Sequence, residues 1–173
     1  IESQRFLFRK LRKEDCEVWE RFFIDNPSLH FLGIDLNIDD ALKAINWLDI
    51  QFKRYEKNLY GHLAIIHKES NEFIGQAGIL PREIDGKKVF EIGYSIMKEH
   101  WNKGYASEIS QRLRDYAFEE DIHPRLISII HTENIASQKV ADKNGMKPSP
   151  LTQHEGMDVF IYSVSKDDWL SLS

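Results

Sequence analysis

Near residue 60 the apolar residues of this chain change their spacing, and the order of elements on either side leaves few folds open. Before it, Ile38, Ala41, Leu42, Ile45, Leu48, Phe52 and Tyr55 recur every three or four positions. That spacing predicts one helix with an apolar stripe, N-capped by Asn37 and closed at Lys57-Asn58. After it, residues 62–67, 73–80 and 89–97 are apolar and rich in β-branched side chains. Glu69-Ser70-Asn71 and Asp85-Gly86-Lys87 separate them with residues suited to tight turns, which predicts a three-strand meander.

The remaining segments fall around this centre. Residues 5–11 alternate like a strand, and Val18, Trp19, Phe22 and Phe23 have a helical spacing that Asn26-Pro27 ends. A helix opens after Gly104 with Ala106, Ile109, Leu113 and Ala117 on one face. Residues 126–130 form a short, wholly apolar strand of the kind buried at a sheet centre. Another helix spans 134–144 and stops at Asn144-Gly145, a left-handed cap. Residues 146–151 and 157–164 read as a closing hairpin. The order β-α-α-β-β-β-α-β-α-β-β, without repeats or low-complexity linkers, predicts one mixed α/β (α+β) domain over 1–173, with its functional half after residue 88.

Composition removes several classes. A chain of 173 residues with 42% hydrophobic content can bury one substantial core. A net charge of −5 argues against nucleic acid as a partner and favours cationic ligands. Cys16 stands alone, so no intramolecular disulfide can form and an oxidising compartment is not implied. No apolar run reaches membrane-span length and the first residues are charged, so the cytoplasm is expected and a membrane is not. No two histidines have metal-ligand spacing, and no metal is expected.

The most informative segment is Trp101-Asn102-Lys103-Gly104-Tyr105-Ala106-Ser107, between a strand and a helix. The first N–H groups of a helix lack intrahelical partners and gather about half a unit of positive charge, which makes an anion site. Gly104 lets the backbone approach an anion, Ala106 leaves the first turn uncrowded, Lys103 adds charge, and Asn102 tolerates a left-handed backbone. On these residues alone the segment is equally an ordinary strand-to-helix turn. It is neither a Walker loop nor a G-x-G-x-x-G dinucleotide loop.

Three stretches, in order, resemble the GNAT acetyltransferases, most closely the RimJ/RimL-type branch named for ribosomal-protein N-terminal acetylation. Glu91-Ile92-Gly93-Tyr94-Ser95-Ile96 is similar to the family's fourth strand. Trp101 to Ala106 is similar to its Q/R-x-x-G-x-G/A pyrophosphate loop, close to the W-G-K-G-Y-A form common in this branch. Asn134-Ile135-Ala136-Ser137, followed by Lys143-Asn144-Gly145-Met146, is similar to its N-x-x-S…K-x-G-F helix. The resemblance implies a mostly antiparallel sheet of about seven strands flanked by about four helices and splayed between strands four and five. It also implies acetyl-coenzyme A (acetyl-CoA) as cosubstrate. Its pantetheine arm would pair near Ile96 and Met97, and its pyrophosphate would rest on the N–H groups of Asn102, Lys103, Gly104, Tyr105, Ala106 and Ser107. Asn134 and Ser137 would flank the thioester, and residues 31–37 and 152–158 would build the acceptor pocket. Similar proteins commonly form homodimers. Four positions depart from the pattern: Trp101 replaces Gln or Arg, Asn102 replaces Gly, Met146 replaces Phe, and Ala141 stands where many members carry a Tyr proposed as general acid.

Acetyl transfer to an amine needs a neutral nucleophile, a stabilised oxyanion and a leaving thiolate. Backbone N–H groups of the fourth strand would serve the oxyanion. Ser137 is the candidate donor to the thiolate, with a plain cofactor-contact or helix-surface serine as the alternative. Glu91, a carboxylate in an apolar strand, is the candidate base; the alternative is a structural partner for an Arg or Lys on an adjacent strand. His131, at the end of the fifth strand, is a third candidate. An α-amine of pKa about 7.7–8.0 needs less help than a lysine at about 10.4, so a sparsely equipped site suits a protein N-terminus or a small-molecule amine. The expected activity is direct attack of a primary amine on acetyl-CoA in a ternary complex. A catalytically silent acyl-CoA sensor is the competing reading. A nucleotide-phosphate binder using only the Gly104 loop is the third, and the helix over 134–145 speaks against it.

Overall fold

The turn at Asp85-Gly86 sets the register at the centre of the sheet. Both residues have positive φ, 49° and 73°, as a two-residue hairpin turn demands. They join β3 (Phe73–Ile84) to β4 (Lys87–Ile96) and bring Leu80 opposite Glu91 and Ala77 opposite Tyr94. The computed structural model describes residues 1–172. The other strands are β1 (Phe6–Lys10), β2 (His62–His67), β5 (Arg125–His131), β6 (Lys147–Pro148), β7 (Thr152–His154) and β8 (Met157–Ser165). They form one sheet in the order β1-β2-β3-β4-β5-β8-β6, with β7 also on β8, and only β4–β5 is parallel.

Five helices flank it: α1 (Asp15–Glu20), α2 (Asp40–Glu56), α3 (Tyr105–Glu119), α4 (Ile135–Lys143) and α5 (Lys166–Leu170). Alternation along the strands sends Phe6, Ile92 and Ile96 to one face, against Ile109, Leu113 and Ala117 of α3. Trp19, Phe22, Phe23 and Leu48 from α1, α2 and the turn between them cover the other face. Each such side chain contributes about 1.5–3 kcal/mol on burial. Gly145, at φ 75°, ends α4: its N–H reaches the Asp142 carbonyl and the Met146 N–H reaches that of Ala141, both at 3.0 Å.

The described residues hold eight strands and five helices, in keeping with the mixed, mostly antiparallel sheet of about seven strands and about four helices that was expected. Some details need correction. Residues 146–151 are not one strand, because Pro148 and Pro150 cannot donate to a ladder; only β6 is left of it, and β7 follows as a separate short strand. The additional helix, α5, starts where Ser165 and Asp168 form a reciprocal capping box. Helix α2 is capped by Asp39, which accepts the Leu42 N–H at 2.8 Å, whereas the Asn37 N–H is taken by Asp35. Its buried face is Ala44, Leu48 and Gln51, while Leu42 and Ile45 are 40% and 46% exposed. The stripe is rotated because Gln51 is used at the sheet, where its Oε1 accepts the buried His62 N–H at 2.8 Å. None of the described helices is long and apolar enough to cross a membrane.

Candidate active site

Strands β4 and β5 pair only at Phe90–Leu126 and Glu91–Ile127 and then part, the splay expected between strands four and five. A cavity of about 180 Å³ occupies the gap and is lined from both faces of the sheet. Tyr94, Ser137 and Ala141 wall it on the α3–α4 side, and Trp47, His62 and Glu91 on the α2 side. Phe31 and Leu32, with His154, Glu155 and Met157, close its outer end, so both segments expected to build an acceptor pocket border it.

The entrance to α3 lies about 7 Å along the helix from Ser110, which is on the cavity wall. Asn102 and Gly104 are both left-handed, at φ 60° and 72°. Among the described residues, none of the N–H groups from Asn102 to Ser107 has a protein acceptor, and Gly104 brings no side-chain cap. Arg5 flanks this turn: its Nη1 lies 3.3 Å from the Lys103 carbonyl and its guanidinium 4.7 Å from the centre of the Tyr105 ring. Glu108 is held by Ser3 and Arg5. Burial alone would raise the Glu108 pKa, but these bonds outweigh it and lower it. The turn is thus an open set of donors beside fixed charges, and its residues fit a diphosphate.

The edge of β4 facing the gap is set by alternation. The Met97 N–H donates to the Ile74 carbonyl on β3 at 2.9 Å, so the N–H groups of Tyr94 and Ile96 turn the other way, towards the gap. The Ile96 carbonyl accepts Trp101 Nε1 at 2.7 Å. The Met97 carbonyl accepts the His100 N–H at 2.9 Å, so Met97, unlike Ile96, offers neither backbone group to a ligand.

Asn134 caps α4 by accepting the Ser137 N–H at 3.2 Å, and both residues border the cavity. The Ser137 hydroxyl lies beside that of Tyr94, but not in hydrogen-bonding geometry. Tyr94 Oη is therefore buried without a partner among the described residues. Burial pushes its pKa up to about 12, and the nearby Ser137 offsets part of this.

Glu91 is 7% exposed. Its Oε2 sits 2.6 Å from Arg82 Nε, and among the described residues its Oε1 has only the Ile129 N–H, at 3.4 Å. Arg82 supplies the cationic partner on an adjacent strand that was one of the two readings of Glu91. The hairpin register could have named it, since Leu80 faces Glu91 and Arg82 is the next residue on that face. Trp47 and His62 had no such signal. Their rings stack at 5.5 Å, and Trp47 Nε1 donates to Gln76 Oε1 at 2.9 Å. Burial, then the charges of Arg54 and Arg82, lower the His62 pKa to about 3, so its ring is neutral. His131 borders the cavity, but its Nδ1 accepts the Glu133 N–H at 3.1 Å.

The match to known proteins runs over this same framework. The family model for the acetyltransferase (GNAT) domain matches residues 5–147. The chain is 32% identical to YnaD of Bacillus subtilis, described as an uncharacterized N-acetyltransferase, over 98% of each chain. An acetyltransferase structure from Agrobacterium tumefaciens superposes with a TM-score of 0.78 at 26% identity, covering 95% of this chain and 92% of that one. The fold also recurs, at a TM-score of 0.76 and 14% identity, in the spermidine N-acetyltransferase of Vibrio cholerae solved with CoA and spermine, over 96% of this chain and 98% of that one. With the anion-ready turn and the parted strands in the matched region, the chain belongs to the GNAT family and is an acetyl-CoA-dependent acyltransferase.

Proposed function

We propose that this enzyme moves the acetyl group of acetyl-CoA to a primary amine, a protein N-terminal α-amine or a small-molecule amine, by direct attack in a ternary complex. The observation that carries this reading is the cavity that crosses the sheet where β4 and β5 part. Two substrates can enter it from opposite faces and meet. Acetyl-CoA supplies the activated acyl group and the leaving thiolate.

The chain's own residues divide the remaining work. The N–H groups from Asn102 to Ser107 hold the diphosphate, and Ile96 pairs with the pantetheine arm along the free edge of β4. Asn134 and Ser137 flank the thioester. Glu91 Oε1, the oxygen not held by Arg82, receives the amine and its proton. The charge balance supports an acceptor with a single amine over a polyamine. His62 is neutral and Glu91 is offset by Arg82, so this part of the cavity has no surplus negative charge for a polycation. The loop form supports the RimJ/RimL-like branch, the lone Cys16 supports a cytoplasmic enzyme, and a net charge of −5 speaks against a nucleic-acid partner.

A thiol-release assay over peptides, amino acids, aminoglycosides and polyamines tests this. Free CoA should appear only when acetyl-CoA and an amine are both present, with peptides or simple amines ahead of spermidine. Acetyl-CoA binding with no release across the whole panel would leave a silent acyl-CoA sensor.

A further inference from the structure

We propose that the Tyr94 hydroxyl donates the hydrogen bond that stabilises the departing sulfur, doing from β4 what the residue at position 141 of α4, an alanine here, cannot. This rests on the acetyl-CoA reading above. Three observations carry it. Tyr94 Oη has no partner among the described residues although it is buried, and a buried polar atom left unsatisfied needs a reason. It lies beside Ser137, one helical turn from Ala141, so the phenol and the Ser137–Ala141 face of α4 share one wall of the cavity. And Tyr94 belongs to the strand whose free edge borders the gap, so its backbone N–H faces the same cavity that the residue lines.

The step balances without an added acid. As the amine nitrogen bonds to the acetyl carbon, the carbon–sulfur bond breaks and sulfur keeps the electron pair. The displaced amine proton passes to Glu91 and then to water. Tyr94 donates its O–H to the sulfur and retains the proton, as a phenol with a pKa of about 12 does near neutrality.

Tyr94→Phe removes one oxygen atom and no packing, which makes it a clean test. The purified protein is compared with wild type in three measurements: affinity for CoA against its desulfo analogue, steady-state kinetics with acetyl-CoA, and the unfolding temperature without ligand. Wild type should prefer CoA over desulfo-CoA by about tenfold or more, and Tyr94→Phe should lose that preference. Its kcat should fall by about tenfold or more while KM for acetyl-CoA stays within about twofold. Its unfolding temperature should hold or rise, since the lost hydroxyl had no partner. A CoA preference kept by Tyr94→Phe would overturn the proposal, as would a marked fall in its unfolding temperature, which would give the hydroxyl a structural role. Wild type that binds neither CoA nor acetyl-CoA would instead overturn the acetyl-CoA reading itself.

Discussion

Trp101 Nε1 donates to the Ile96 carbonyl at 2.7 Å, tying the first residue of the anion turn to the last residue of β4. The indole supplies this donor from a rigid, half-buried ring. The bond fixes how far the diphosphate site lies from the strand edge that faces the gap. Trp101→Phe keeps an aromatic ring but loses the donor, a change of about 1 kcal/mol, along with part of the packing. Steady-state kinetics should show KM for acetyl-CoA rising about fivefold with kcat nearly constant. A fall in kcat at unchanged KM would show that the turn does not position the cosubstrate.

Gly104 separates backbone strain from ligand exclusion. At φ 72° a side chain is strained, yet an added Cβ would find nothing closer than Arg5 Nη2 at 3.9 Å. The protein has room where an anion needs access. Gly104→Ala should fold with a loss of about 1 kcal/mol, and Gly104→Glu should abolish acetyl-CoA binding through bulk and like charge. Calorimetry on the folded Gly104→Glu variant decides: retained affinity would place the diphosphate elsewhere.

Glu91 and Arg82 give opposite signatures. Arg82→Met strips the counter-charge from a buried carboxylate and should cost about 2–4 kcal/mol in a denaturation experiment. Glu91→Gln keeps an acceptor for Arg82 Nε and should unfold close to wild type. Its kcat should fall about a hundredfold while KM for acetyl-CoA holds, if Glu91 is the base. Unchanged turnover would reduce Glu91 to a structural partner of Arg82.

How much of this was legible depended on whether a residue's neighbours were local. The meander, the α3 face and the Gly145 cap are set within a few residues, and alternation or turn chemistry reveals them. The phase of α2 is set from outside: Gln51 is drawn in by the His62 N–H, which leaves Leu42 and Ile45 in solvent despite their apolar character. At the site, the Arg82–Glu91 pair follows from one hairpin register. The approach of Tyr94 to Ser137 does not, because it needs α4 docked against a strand more than forty residues earlier in the chain. The stacking of His62 on Trp47 likewise depends on where the β2 edge meets α2.

That stacking makes acid stability a test of the α2 side of the cavity. The His62 pKa is about 3 in the folded chain and about 6.5 when unfolded. Below about pH 6.5 the unfolded chain therefore binds a proton that the folded chain does not. The stability present above that pH should be lost at up to about 1.4 kcal/mol per unit as pH falls towards the folded value. His100 is shifted in the same direction, first by burial and then by Lys103, so wild type alone does not isolate the effect. His62→Gln removes the titration and some stacking on Trp47. It should be less stable than wild type by about 1–2 kcal/mol near neutrality. Urea midpoints taken from about pH 7.5 down to about 5 should converge, because only wild type carries the His62 penalty. Asp15 and Glu108 interfere little in that window, since both pKa values lie below the usual carboxylate range. Parallel curves would mean that His62 takes up its proton in the folded protein as readily as in the unfolded chain, and below about pH 6.5 the cavity would then carry a positive charge where a neutral ring is needed.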